Sequence, residues 1–199
     1  MKRRQVIKLG GSLLNRPSLA EDLQAWLSLH PARQTGLVIG GGQIIEAVRR
    51  LDAVHHLDAR GLHWHCVDLM HATFKIGSEL LDDFVPLDDP PSLERWLADP
   101  VDDPARALVS PRCFYRRDRH PDVLPQDWST TSDSIAALLA GRIAADRLVL
   151  LKSCEVDPAA PIDSLSAAGI VDEAFSATLG DVSFTGEALV RRLPRTTQS

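Results

Sequence analysis

The chain has 199 residues, 44% of them hydrophobic and 25% charged, with a formal net charge of −5. That length suits one sizeable domain with a core of its own, and the acidic balance argues against a nucleic-acid-binding surface. Three scattered cysteines, Cys66, Cys113 and Cys154, make neither a metal-binding pair nor a disulfide framework, which points to a reducing compartment.

The opening Met1-Lys2-Arg3-Arg4 is followed by only Val6-Ile7 before Lys8 interrupts, too short for a signal core. No stretch approaches the roughly 20 apolar residues that span a bilayer. A cytoplasmic protein is expected, with neither a membrane nor a nucleic acid as partner.

In chain order, Gln5–Leu9 reads as a strand ending in a glycine turn, and Leu19–Leu29 as a helix with Leu19, Leu23, Trp26 and Leu27 on one face. Gly36–Ile39 is a short strand that runs into Gly40-Gly41-Gly42. Ile44, Ile45, Val48 and Leu51 then mark a second helix. This alternation predicts an α/β fold with a parallel sheet. Residues 60–84 are helical and rich in histidine. A Pro/Asp-heavy surface excursion follows over 87–104, with a short helix at Ser92–Ala98. Arg106–Ser110 is a strand, and the segment from Arg112 to Trp128 is irregular. Ser132–Ala145 is a helix and Arg147–Leu151 a strand. Beyond it, Asp163–Ala168 and Asp172–Leu179 read as short helices and Val182–Phe184 as a last short strand. The whole of 1–199 reads as one domain, with a short C-terminal part over 155–199.

Four features at strand or helix ends carry chemistry. In Lys8-Leu9-Gly10-Gly11-Ser12, glycines let the backbone turn sharply and present N–H groups to an anion, while Lys8 supplies a point charge. The turn Gly40-Gly41-Gly42 opens a helix whose N-terminus favours an anion. It is not a dinucleotide fingerprint, because Ile45 stands where the last glycine belongs. In Ser129-Thr130-Thr131-Ser132-Asp133-Ser134, Thr131 or Ser132 is a natural N-cap, and five hydroxyls surround one aspartate. Finally, Lys152 directly follows the apolar run Leu148–Leu151. Only four lysines stand among the 22 basic residues, and two of them end apolar strands.

The segments VIKLGGSLL, LVIGGGQIIEAV and TTSDSIAALLAGRIAADRLVLLKS, in that order, resemble the amino acid kinase (aspartate/glutamate/uridylate kinase) superfamily. The resemblance implies a three-layer α/β/α sandwich around a largely parallel sheet, and ATP-dependent phosphoryl transfer with Mg2+ to a carboxylate, carbamate or phosphate. It aligns Lys8 and Lys152 with phosphate-binding lysines and Asp133 with an organising aspartate. It gives Gly10, Gly11, Ser12, Gly40, Gly41 and Gly42 the phosphates of ATP. It also implies a homodimer or higher homo-oligomer. LPQDWSTTSDSIAALLAGR and GIVDEAF look most like the short aminomethylfuran phosphate kinases of methanofuran biosynthesis. On that likeness Arg112, Arg116 and Arg117, with Thr131 and Ser132, are candidates for binding a small anionic substrate. No Gly-Met-x-x-Lys segment of the kind many superfamily members carry follows Lys152. A phosphate-ligand binding protein on the same fold is therefore an alternative, as is a nucleoside monophosphate or carbamate kinase.

His55, His56, His63, His65 and His71 lack the i, i+4 spacing that puts two ligands on one helical face, so no metal site is assigned to them. Trp26, Trp64, Trp96 and Trp128 are read as packing anchors.

Overall fold

The computed structural model describes residues 4–98, 105–120 and 122–196. Met1, Lys2 and Arg3, and residues 99–104 of the predicted excursion, lie outside the described residues. The elements are β1 (Arg4–Leu9), α1 (Leu19–Leu29), β2 (Gln34–Ile39), α2 (Gly42–His55), α3 (Ala59–Leu80), β3 (Val85–Leu87) and α4 (Pro90–Ala98). They continue with β4 (Ala105–Val109), α5 (Ser132–Arg142), β5 (Arg147–Lys152), α6 (Ile162–Ala167), α7 (Phe175–Asp181) and β6 (Glu187–Arg192).

All six strands pair in parallel, in the order β3-β4-β2-β1-β5-β6. A parallel sheet needs helices on both faces, and its central strands are then apolar on both sides. The buried side chains divide accordingly. Val6, Val38, Leu148 and Leu150 pack with Ile135 and Leu139 of α5, Phe175 of α7 and the first turns of α3. Ile7, Leu9, Leu37, Val149 and Leu151 pack with Leu23 and Trp26 of α1 and with Phe74 of α3. The expected α/β/α layering is present.

Strand alternation fixes the direction of the two strand-end lysines. Lys8 shares a face with Val6, and Lys152 with Leu148 and Leu150. That is the face covered by α5. The chain steps from β1 to β2 on one side of the sheet's centre and returns to β5 on the other. The strand order therefore reverses between β1 and β5, a topological switch point where open α/β sheets bind ligands.

Some boundaries differ from the sequence reading. Val182–Phe184 is not a strand: Val182 caps α7, Ser183 takes φ 53°, and Phe184 N–H returns to Leu179 O. The last strand lies three residues on, at the sheet edge, where only Val190 is buried. An edge strand needs little alternation, so its sequence did not show it. Leu87, assigned to the excursion, ends the three-residue strand β3. The helix expected to reach Ala145 stops at Arg142, followed by Ala144 at φ 48°. No helix of the described residues is long and apolar enough to cross a membrane.

Candidate phosphate-binding site

At the carboxyl ends of β1 and β5 the two lysines meet one carboxylate. Lys8 Nζ lies 2.8 Å from Asp133 Oδ1, and Lys152 Nζ donates to Asp133 Oδ2 at 2.7 Å. Asp133 is in the first turn of α5 and only 2% exposed; Lys8 is 5% exposed. Burial alone would raise the Asp133 pKa, but the two ammonium groups override it and hold the carboxyl below its usual value. Burial, with the repulsion of Lys8, pulls Lys152 down to about 8 against the attraction of Asp133. Two ammonium groups thus share one carboxylate at the edge of a cavity, an arrangement that suits a polyanionic ligand.

The two glycine turns interlock beside this cluster. Gly10 N–H donates to Leu151 O at 2.8 Å and Gly40 N–H to Leu9 O at 2.9 Å, tying each turn to the neighbouring strand. A Cβ on Gly11 would fall 2.2 Å from Gly42 N and 2.3 Å from Gly40 O. Gly42 has φ 55°, where an L side chain is strained, and its Cβ would meet the Gly11 carbonyl at 2.6 Å. The glycines thus have a packing role of their own, which brings the lysine turn and the start of α2 into backbone contact. Ser12 Oγ reaches across to Ser153 Oγ at 2.9 Å.

A cavity of about 670 Å3 opens over these groups. Lys8, Gly10, Gly11, Ser12, Gly41 and Gly42 line it, as do Thr131, Ser132, Asp133 and Lys152. Gly40 lies behind it; a Cβ there would meet Ser132 Oγ at 2.7 Å and Lys8 Cε at 3.2 Å. The arginines are placed elsewhere. Arg112, Arg116 and Arg117 line an adjacent cleft of about 420 Å3 that shares Val67 with the main cavity. There Arg112 lies 3.5 Å from Asp68, and Arg116 is paired with Asp118 at 2.6 Å.

Asp172 belongs to the site although the sequence assigned it no role. Its carboxylate accepts from Thr131 N at 2.8 Å, Thr131 Oγ1 at 2.9 Å, Ser134 N at 3.0 Å and Ser134 Oγ. Thr131 is the N-cap residue of α5, as expected, but its side chain makes no cap bond, and the Asp172 carboxylate supplies it from 38 residues away. Burial, and then the charge of Asp133, push its pKa up, against the hydrogen bonds from Ser134 and Thr131. In sequence, an aspartate ahead of a short apolar segment reads as an ordinary cap for the next helix.

The histidines divide into two buried pairs and exposed side chains. His63 meets Tyr115 Oη at 2.9 Å, and His71 meets Ser110 Oγ and Asp88, each at 3.2 Å. Burial lowers the pKa of both. Among the described residues no three His, Cys, Asp or Glu side chains are grouped to hold a metal ion.

No protein-family model matches the chain, and no curated protein matches it in sequence. Solved structures do match it in fold. The uridylate kinase of Archaeoglobus fulgidus aligns with a TM-score of 0.60 at 15% identity, over 96% of this chain and 91% of that one. The UMP kinase of Ureaplasma parvum gives 0.64 at 14%, over 98% and 92%. The aspartate kinase of Synechocystis gives 0.63 at 11%, over 98% of this chain and 40% of that one. The chain has the fold shared by these kinases.

Proposed function

We propose that the protein is a small-molecule kinase that transfers the terminal phosphoryl group of ATP to an anionic acceptor. The observation that carries this reading is the pair of strand-end lysines on the buried carboxylate of Asp133, beside two interlocked glycine turns. Phosphoryl transfer asks the protein mainly for positioning and charge stabilisation. Two ammonium groups at fixed separation supply both, and Asp133 keeps them from repelling each other apart.

The residues present suit a nucleotide's phosphates. Gly11, Ser12, Gly41 and Gly42 bring backbone close to the cavity, and the N-terminus of α2 opens into it. Mg2+ would enter with the nucleotide, because Asp133 and Asp172 are both committed to protein partners. Its contribution when bound would be to neutralise charge on the phosphates.

For the acceptor we favour a compound of the aminomethylfuran phosphate type, on the likeness of residues 124–142 and 169–175 to that branch. ADP release measured over a panel of carboxylates, monophosphates and aminomethylfuran phosphate tests the reading. Turnover abolished by Lys8→Ala in a folded protein is the expected result. Unchanged ADP production by that variant would sink the mechanism. A thermal shift with phosphorylated ligands but none with Mg-ATP would instead favour a phosphate-ligand binding protein.

A further inference from the structure

Lys8 and Lys152 are both bound to Asp133, and the one other cation among the described residues lining the cavity is Arg49 of α2. Its guanidinium carbon sits 4.1 Å from the ring centroid of Trp128. A guanidinium over an indole face gains a cation–π attraction without using its N–H donors. The indole is itself fixed, since Trp128 Nε1–H donates to Asp52 Oδ2 at 2.7 Å. Asp52 lies three residues after Arg49 on the same helix, so α2 holds both the cation and the carboxylate that anchors its platform. The contact from Arg49 to Glu46 is long, 3.6 Å, between half-exposed side chains, and holds the arginine weakly.

A second observation marks the same part of the cavity. Thr130, two residues beyond Trp128, is 4% exposed, yet its hydroxyl has no hydrogen-bond partner among the described residues. A buried polar group left unpaired is costly and signals a missing partner. Thr130 lines the cavity together with Arg49 and Trp128. The cavity also carries apolar side chains, Ile45 one turn before Arg49 on α2 and Val67 and Met70 of α3.

We propose that Arg49, held on Trp128 and assisted by the Thr130 hydroxyl, is the specificity-determining grip for the acceptor's anionic group. The acceptor is then a small anion on an apolar body. Its role as acceptor rests on the kinase reading; the binding site itself does not. His63, which also lines the cavity, already has a partner in Tyr115, and Ile45, Val67 and Met70 offer little to the polar edge of a nucleobase.

Benzyl phosphate is the probe, titrated calorimetrically into the full chain without nucleotide, and compared with uridine monophosphate. Wild type is expected to bind benzyl phosphate more tightly than the nucleotide. Arg49→Met is expected to weaken benzyl phosphate by about tenfold or more, with Arg49→Lys intermediate and Thr130→Val weaker by ~3-fold. Because Arg49 is on the surface, its variants should fold, which circular dichroism verifies. Equal affinity in wild type and Arg49→Met, or no benzyl phosphate binding by wild type, overturns the proposal. So does tighter binding of the nucleotide. These outcomes stand whether or not ATP turns over, so failure of the grip is distinguishable from failure of the kinase reading, which the Lys8→Ala assay decides.

Discussion

The backbone N–H of Asp172 donates to Oδ2 of Asp133 at 3.2 Å, across 39 residues of chain. The same oxygen takes the Lys152 ammonium, so the segment before α7 and the end of β5 converge on one atom. Asp172 therefore supports the cluster twice, through its own N–H and by capping the helix that carries Asp133. Replacing it with alanine should leave the N–H groups of Thr131 and Ser134 without their acceptor. The expected cost is about 1–3 kcal/mol of stability, read by urea unfolding, together with weaker phosphate binding.

Asp133 itself is the costlier loss. Asp133→Ala leaves two buried ammonium groups facing each other without the carboxylate that binds both. Breaking a buried pair in this way typically costs about 3–5 kcal/mol. Equilibrium unfolding should show that loss, and adding millimolar phosphate should recover part of it by filling the vacated anion position. A variant as stable as the wild type would mean that water, not Asp133, balances the lysines.

Lys152 should set the alkaline limit of activity. Its pKa is pulled down to about 8, and the charged form, the one able to stabilise a phosphoryl group, exists below that value. kcat/KM for ATP, which reports the free enzyme, should fall by ~10-fold per pH unit above it. Lys152→Arg cannot lose its proton in this range, so whatever activity remains should lack that limb. A flat wild-type profile between pH 7 and 10 would remove Lys152 from the reaction.

The helix α2 buries no residue, and Leu51 and Val54 near its end and Leu57 just beyond it are about half exposed or more. Such a row is expected to be covered by a second copy of the chain. Light scattering after gel filtration should give a dimer mass for wild type and a monomer mass for Val54→Asp. A monomeric wild type would refute it.

Much of the fold was readable because its chemistry is local. The short apolar run Val6-Ile7 with Leu9, the glycines after it, and the Ile44–Leu51 face each announce an element from neighbouring residues alone. Lys8, Lys152 and the α5 terminus also announced themselves, since each sets a polar group at one end of an apolar stretch. What stayed hidden depends on contacts between distant residues. Asp172 looks like a cap for its own neighbourhood and serves instead a helix 38 residues upstream. Arg49 looks like one surface cation among many until Trp128 is found beneath it. Arg112, Arg116 and Arg117 share a sequence neighbourhood, but α3 stands between their cleft and the main cavity, with Val67 in both walls.

Gly11 and Gly42, whose backbones touch where any side chain would intrude, stand 31 positions apart in sequence yet answer to mutation as one locus. Alanine at either place forces the turns apart, so the two losses should overlap, apart from the backbone strain that any L side chain meets at the positive φ of Gly42. A double-mutant cycle would show a large favourable coupling in place of additive losses. The same logic runs through evolution: neither position can drift without the other feeling it.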